Sequence, residues 1–122
     1  MTDASRSPAA FIEWLVARHP DLAAIRDEHL RDYGELLPHV LLGDVTRYAA
    51  GLARSGADDA TLDSLLNDLD SALGANRDDE VGNLIGASFV ENAQGVPGDA
   101  EEQLRARLHD HPHLAEALAH SE

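Results

Sequence analysis

Cysteine is absent from the 122-residue sequence, so the chain can form no disulfide bond, no thiolate metal site and no thiol nucleophile. Aromatic residues are also scarce, with two Phe, two Tyr and one Trp. The hydrophobic core must therefore be built mainly from aliphatic side chains, which suits a hydrophobic content of 43%. That content excludes a disordered acidic tail, because such tails are poor in Leu and Val.

Long apolar runs are also missing. No segment approaches the roughly 20 apolar residues that a helix needs to cross a bilayer. The N-terminus lacks the basic region and apolar run of a secretion signal. A length of 122 residues suits one domain with one core. We therefore expect a single all-helical domain over residues 1–122 that is soluble and cytoplasmic.

Basic residues are few, and lysine is absent altogether. Nine arginines face 23 Asp and Glu residues, which gives a net charge of −14 at pH 7. Residues 55–104 hold twelve of these acids and one arginine, Arg77. Such a field repels nucleic acid and anionic membranes, and it attracts a basic protein.

The alternating β-branched runs typical of half-buried strands are absent, and apolar residues recur instead at helical spacing. The pattern predicts helices that start after the N-cap Ser7 and near Asp21, with Gly34 ending the second helix. Asp58 or Asp59 is expected to cap a later helix with a buried leucine stripe. The stripe consists of Leu62, Leu65, Leu66, Leu69 and Leu73. We predict an all-α fold, a single compact bundle of about six or seven helices.

The segment ELLPHVLLGD (35–44) mixes leucines with a proline, a glycine and polar residues. A helix that begins near Glu35 would hold Pro38 in its first turn, where a missing N–H costs little. Gly43 then either bends this helix or closes it, in which case Asp44 caps the next helix. We interpret Asp44 as a structural cap or polar anchor. His39 and Glu35 supply only two ligands, so they do not predict a metal site.

Two further patterns bear on chemistry. Gly82 and Gly86 leave a flat patch on one helix, which predicts the close approach of another backbone. Ser88 has no base nearby in the sequence and no nucleophile-elbow pattern, so we assign it no catalytic role. Four histidines near the C-terminus have a spacing that rarely converges on one ion: His109, His111, His113 and His120. The sequence therefore predicts no catalytic residue, no metal site and no cofactor.

Two segments, YGELLPHVLLGDVTRYAAGL and DDEVGNLIGASFVEN, together resemble a family of small, acidic, all-helical bacterial proteins. The shared pattern is E-L-L-P-H followed by G-D, then a leucine-rich helix, then N-L-I-x-x-S-F-V-E-N. Members of this family are similar to the compact immunity proteins that bacteria keep beside toxins. The resemblance implies an inhibitory role and brings no active site with it. The matching residues could equally be determinants of the fold: Glu35, Pro38, His39, Gly43, Asp44, Asn83, Ser88, Phe89, Glu91 and Asn92.

These observations favour protein binding over catalysis. We predict a non-enzymatic, acidic, immunity-type inhibitor that binds and neutralises a basic bacterial toxin, with a nuclease as one example. Its carboxylates would stand where a nuclease holds phosphates, and their field would speed association. No basic residue lies three or four positions after Asp63, Asp68 or Asp70 to neutralise them within the helix. The carboxylates expected to face the partner are Asp59, Asp63, Asp68, Asp70, Asp78, Asp79 and Glu80.

Other functions remain open at this point. A helical adaptor or a self-associating homodimer would use the Gly82 and Gly86 patch, or the flank of Trp14, as its interface. An enzyme or metalloprotein would require His39 and Asp44 to converge with further ligands such as Glu35, Glu91 or His29. Halophilic adaptation would explain the charge without any partner, and it predicts unfolding at low salt.

Overall fold

The computed structural model describes residues 7–56, 58–75, 80–93 and 99–121, and within these ranges it contains seven helices and no strand. The helices are α1 (Pro8–Arg18), α2 (Asp21–Tyr33), α3 (Pro38–Ser55), α4 (Asp59–Ala75), α5 (80–93), α6 (Asp99–Leu108) and α7 (Pro112–Ser121). The predicted all-α fold of six or seven helices is confirmed.

Local sequence signals set the first two helices as predicted. The Ser7 hydroxyl accepts the Ala10 N–H at 3.2 Å, and Pro8 stands in the first turn of α1, where its missing N–H is not needed. Gly34 ends α2 in the left-handed conformation, with φ of 73°, and its N–H donates to the Leu30 carbonyl at 2.9 Å.

Helix α3 begins later than predicted, at Pro38 rather than near Glu35. The ring of a proline disfavours helical backbone in the residue before it, and Leu37 is accordingly extended, with φ of −115° and ψ of 91°. The segment 35–37 therefore joins the linker between α2 and α3. Proline at the first helical position fixes where α3 starts.

The same helix passes through Gly43 without closing, so Asp44 does not cap a new helix. The Asp44 carboxylate instead accepts a hydrogen bond from Arg47, one turn later on α3. Gly43 is buried because α5 approaches closely: a Cβ at this position would stand 3.3 Å from the Asn92 Nδ2 atom. The expectation of a polar anchor at Asp44 is confirmed, and that of a cap is wrong.

Helix α4 follows the predicted pattern. Asp58 accepts the Thr61 N–H at 3.2 Å and the Thr61 hydroxyl at 2.7 Å, which caps the helix start. The predicted leucine stripe is buried along its whole length, with Leu73 the most exposed of the five at 7%. Each such leucine contributes about 2–5 kcal/mol, judged by the usual cost of truncation to alanine.

Helix α5 is continuous but not uniformly α-helical. It consists of Glu80–Leu84, a π-helical stretch Ile85–Val90, and Glu91–Ala93. The inner face of this helix is buried, and Phe89 is fully enclosed. A π-helix is wider than an α-helix and leaves backbone carbonyls that need donors from elsewhere. No sequence pattern used above predicts this widening.

Helix α3 lies at the centre of the bundle and packs against α1, α2, α4, α5 and α6, while α7 closes on α4 and α5. The core is aliphatic apart from Phe11 and Phe89, which are both fully buried. No helix in the described ranges is long and apolar enough to span a membrane. At the start of α3, Leu41 and Leu42 are buried in the interior, whereas His39 and Val40 are exposed.

Candidate functional site

The predicted carboxylates Asp59 and Asp63 lie one turn apart on the outer face of α4, and both bind Arg107 of α6. Arg107 Nη1 donates to Asp59 at 2.9 Å, and Nη2 donates to Asp63. The carboxylates are more than half exposed, at 60% and 54%, whereas the Arg107 side chain is 23% exposed. The hydrogen bonds that Arg107 donates to the two carboxylates raise its pKa above the usual value. One cation thus holds two anions, which leaves this face with excess negative charge.

The Asp68 carboxylate is largely buried between helices and is not exposed to a partner. Its Oδ2 accepts a hydrogen bond from Arg18 Nε at 2.8 Å and lies 2.6 Å from His19 Nε2, at the C-terminal end of α1. The carboxylate side chain is only 14% exposed. The hydrogen bond with Asp68 raises the pKa of Arg18, and the same guanidinium lies 5.2 Å from the ring centroid of Trp14. Asp68 therefore ties α1 to α4.

Asp70 stabilises the start of another helix. Its Oδ1 accepts the backbone N–H groups of His113 at 2.8 Å and Leu114 at 3.0 Å, in the first turn of α7. These N–H groups have no partner within their own helix, and a carboxylate at a helix N-terminus also interacts favourably with the helix dipole. Asp70 acts as an N-cap supplied from a distant part of the chain.

The remaining predicted partner residues separate into one that the structure places and two that it does not. Glu80 is exposed at the first residue of α5. Asp78 and Asp79 lie outside the described residues. Of the five carboxylates that can be placed, Asp59, Asp63 and Glu80 lie on the surface, whereas Asp68 and Asp70 carry contacts between helices. We do not assign Asp68 or Asp70 to a partner surface.

The two motif segments of the sequence meet at the junction of α3 and α5. His39 Nδ1 lies within hydrogen-bonding distance of Ser88 Oγ. The buried Thr46 hydroxyl lies 2.9 Å from the Leu42 carbonyl and 3.2 Å from that of Phe89. The carbonyl of Phe89 belongs to the π-helical stretch, so the Thr46 hydroxyl of α3 lies against the backbone of that stretch.

Asn92 continues this junction. Its side-chain amide donates to the Ser88 carbonyl at 2.6 Å, and the same amide lies against Gly43 of α3. The motif residues of the two segments thus contact each other directly. Both segments are recognisable in the sequence, but their contact is not, because His39 and Ser88 are 49 residues apart.

The His39–Ser88 pair has the composition of a nucleophile and its base, which the sequence alone did not bring together. Ser88 is 5% exposed, and its hydroxyl is held in the interface between two helices. Two open clefts, described next, are lined by neither residue. The pair joins α3 to α5, with Ser88 buried in the helix interface and the His39 side chain exposed.

The larger cleft, here called the α5–α7 cleft, has a volume of about 410 Å³. Small and apolar residues of α4, α5 and α7 line part of it: Leu73, Gly82, Gly86, Ala87 and Ala117. Polar side chains line the rest of it: Asn83, Glu91, His113, Glu116 and His120. No group of three or more His, Asp or Glu in the described part of the chain has the geometry to hold a metal ion.

The second cleft, of about 330 Å³, lies between the α1–α2 junction, α3 and the first turns of α4. Tyr48 is one of its polar lining residues, and its hydroxyl donates to Asp21 Oδ2 at 2.8 Å. Partial burial and this hydrogen bond raise the pKa of Tyr48 to about 12. The phenol is thus held in its neutral, donating form at ordinary pH.

The fold is an all-α helical bundle, and its described residues line at least two open clefts. The chain belongs to the family described as domain of unknown function DUF7674, whose model matches residues 12–111. This range includes both segments on which the family resemblance rests. No curated protein and no solved structure matches the chain.

Proposed function

We propose that this chain is a non-enzymatic protein-binding module whose partner is a basic protein, and that it serves as an immunity-type inhibitor of a bacterial toxin. The observation that carries the proposal is the excess of 23 acids over nine arginines. Intramolecular ion pairs redistribute this charge but do not change its sum of −14. A basic protein, such as a nuclease with a cationic substrate groove, complements this field.

The surface proposed for the partner is narrower than the one predicted from sequence. Asp59 and Asp63 remain exposed, since each shares Arg107 and keeps lone pairs towards solvent. Glu80 is exposed at the start of α5. These three carboxylates are the described members of the proposed partner surface. Asp68 and Asp70 are left out because their removal would loosen contacts between helices.

The test uses the protein encoded by the neighbouring reading frame as the probe. The variant Asp59→Asn, Asp63→Asn, Glu80→Gln should associate about tenfold more slowly than wild type at low salt, and the difference should vanish near 0.5 M salt, where surface charges are screened. Stopped-flow mixing measures both rates.

A matched variant controls for net charge. Glu28→Gln, Asp32→Asn, Glu35→Gln removes the same three charges from the exposed α2 side, and its association rate should stay close to that of wild type. Salt-insensitive association would overturn the electrostatic mechanism. Equal slowing in both variants would overturn the proposed surface.

A helical adaptor or homodimer is the second candidate, and one observation favours it. Leu30, Tyr33 and Val40 expose 39%, 51% and 40% of their surface near the turn between α2 and α3. Large apolar side chains left in solvent are typical of a contact surface. Sedimentation of the chain alone separates the candidates, because a dimer that persists at high salt supports self-association and a monomer supports the inhibitor.

A further inference from the structure

We infer that the α5–α7 cleft receives an arginine side chain from the basic partner, an inference that rests on the proposed function and adds a specific anchor to it. A volume of about 410 Å³ lies at the low end of the range for ligand pockets. It suits one long side chain better than a large cofactor.

The glycines around this cleft have different reasons to lack a side chain. A Cβ at Gly74 would stand 2.5 Å from the His113 ring, so Gly74 makes room for the imidazole that forms one wall. A Cβ at Gly86 would meet nothing within 4 Å. Glycine costs roughly 1 kcal/mol against alanine inside a helix. Packing against the described residues does not require Gly86, and its small size leaves space in the cleft that it lines.

The charge of the cleft selects the occupant. Glu91 of α5 and Glu116 of α7 line it, and no arginine is among its described lining residues. Asn83 adds an amide oxygen that can accept hydrogen bonds. A guanidinium presents five N–H donors in a plane, whereas an ammonium presents three from one point. Carboxylate and amide acceptors beside small, apolar residues therefore favour arginine over lysine.

The first test titrates the ¹⁵N-labelled chain with N-acetyl-arginine amide. We expect saturable shifts of the Asn83, Gly86, Ala87 and Ala117 amide signals, with a dissociation constant on the order of millimolar for one isolated side chain. N-acetyl-citrulline amide has nearly the same shape without the charge and should cause no saturable shift. The lysine analogue should bind more weakly. Absent shifts, or equal shifts with citrulline, would overturn the inference.

A pair of glycine variants then locates the site. Gly86→Leu should fill the cleft and abolish the arginine-induced shifts. Gly51→Leu is the matched control, because Gly51 is an exposed glycine of α3 where a Cβ likewise meets nothing within 4 Å. Its titration should be unchanged. Retained binding in Gly86→Leu would place the arginine elsewhere and overturn the inference.

A charge variant covers the case in which Gly86→Leu fails to fold. Glu91→Gln keeps the shape of an exposed side chain and should weaken arginine binding about fivefold, since a charge-assisted hydrogen bond is lost. Unchanged affinity contradicts the inference. The two proposals can be contradicted independently. If the cleft binds no arginine, the association with the partner can still depend on salt. If association does not depend on salt, the arginine titration can still show binding in the cleft.

Discussion

At the scale of single residues, Asp58, Asp63 and Asp70 have the same side chain on or beside one helix and different functions. Asp58 caps its own helix, and Asp63 shares Arg107 with Asp59. Asp70 caps a helix whose first residue lies far along the chain. Only the first function follows from neighbouring sequence. The other two depend on which helix packs beside α4.

Tyr48 provides a prediction at this scale. Its folded-state pKa of about 12 exceeds the usual value of 10.0, so the fold favours the neutral phenol. Its contribution to the free energy of unfolding is therefore complete below pH 10 and disappears as the pH rises through about 12. We expect a loss of about 1 kcal/mol over this window, since partial exposure screens the interaction.

Denaturant titrations between pH 9 and 12 measure this loss. Tyr48→Phe should flatten the alkaline decline, because the titrating group is gone. Tyr33→Phe is the control, since that ring is 51% exposed, and it should keep the wild-type decline. Parallel curves for wild type and Tyr48→Phe would contradict the assignment.

At the scale of elements, the two motif segments, which are distant in the sequence, contact each other at the junction of α3 with α5. This contact explains why the two motifs occur together. In the π-helical stretch, the Ser88 carbonyl accepts a hydrogen bond from the Asn92 side chain, and the Phe89 carbonyl lies 3.2 Å from the Thr46 hydroxyl of α3. Gly43 lets the two helices approach closely. Residues of both motifs thus have structural roles in this junction.

The His39–Ser88 contact is the testable part of this junction. In a double-mutant cycle of His39→Ala and Ser88→Ala, we expect a coupling energy of about 1 kcal/mol, the usual net contribution of one hydrogen bond. Urea unfolding of the four proteins provides the measurement. Strictly additive single effects would mean that the contact does not join the helices.

At the scale of the whole molecule, the excess charge of −14 opposes folding through self-repulsion. Ion pairs between helices reduce this repulsion where acids crowd. Arg107 is the clearest case, because α6 brings it between two carboxylates of α4 that would otherwise repel one another. The pairing lets α4 carry an acidic outer face and still dock against its neighbours.

Salt dependence of stability tests this view. Arg107→Gln should lower the melting temperature by several degrees at 10 mM salt, equivalent to about 1 kcal/mol, and by less at 0.5 M, where repulsion is screened. Arg54→Gln, at the exposed end of α3, removes the same charge and should change the melting temperature little. Circular dichroism provides the melting curves. Equal effects of the two variants would mean that Arg107 does not reduce the repulsion between the α4 carboxylates. Unfolding of the wild-type protein at low salt would favour halophilic adaptation as the explanation of the charge.

Several helix boundaries and the buried leucines of α4 could be predicted from the sequence. Caps, glycines and the spacing of leucines act over a few residues, so Ser7, Gly34, Asp58 and the α4 stripe were predictable from local physical chemistry. The predicted start of α3 near Glu35 is wrong by three residues, because Pro38 disfavours helical backbone at Leu37.

Which carboxylates form ion pairs or hydrogen bonds between helices, and where clefts form, depends on the tertiary structure. Asp68 meets Arg18 across 50 positions, and Asp70 meets His113 across 43. Contacts of this kind depend on how whole helices pack, and no local pattern encodes them. The α5–α7 cleft arises in the same way, since its walls come from three helices that are distant in sequence and adjacent in space.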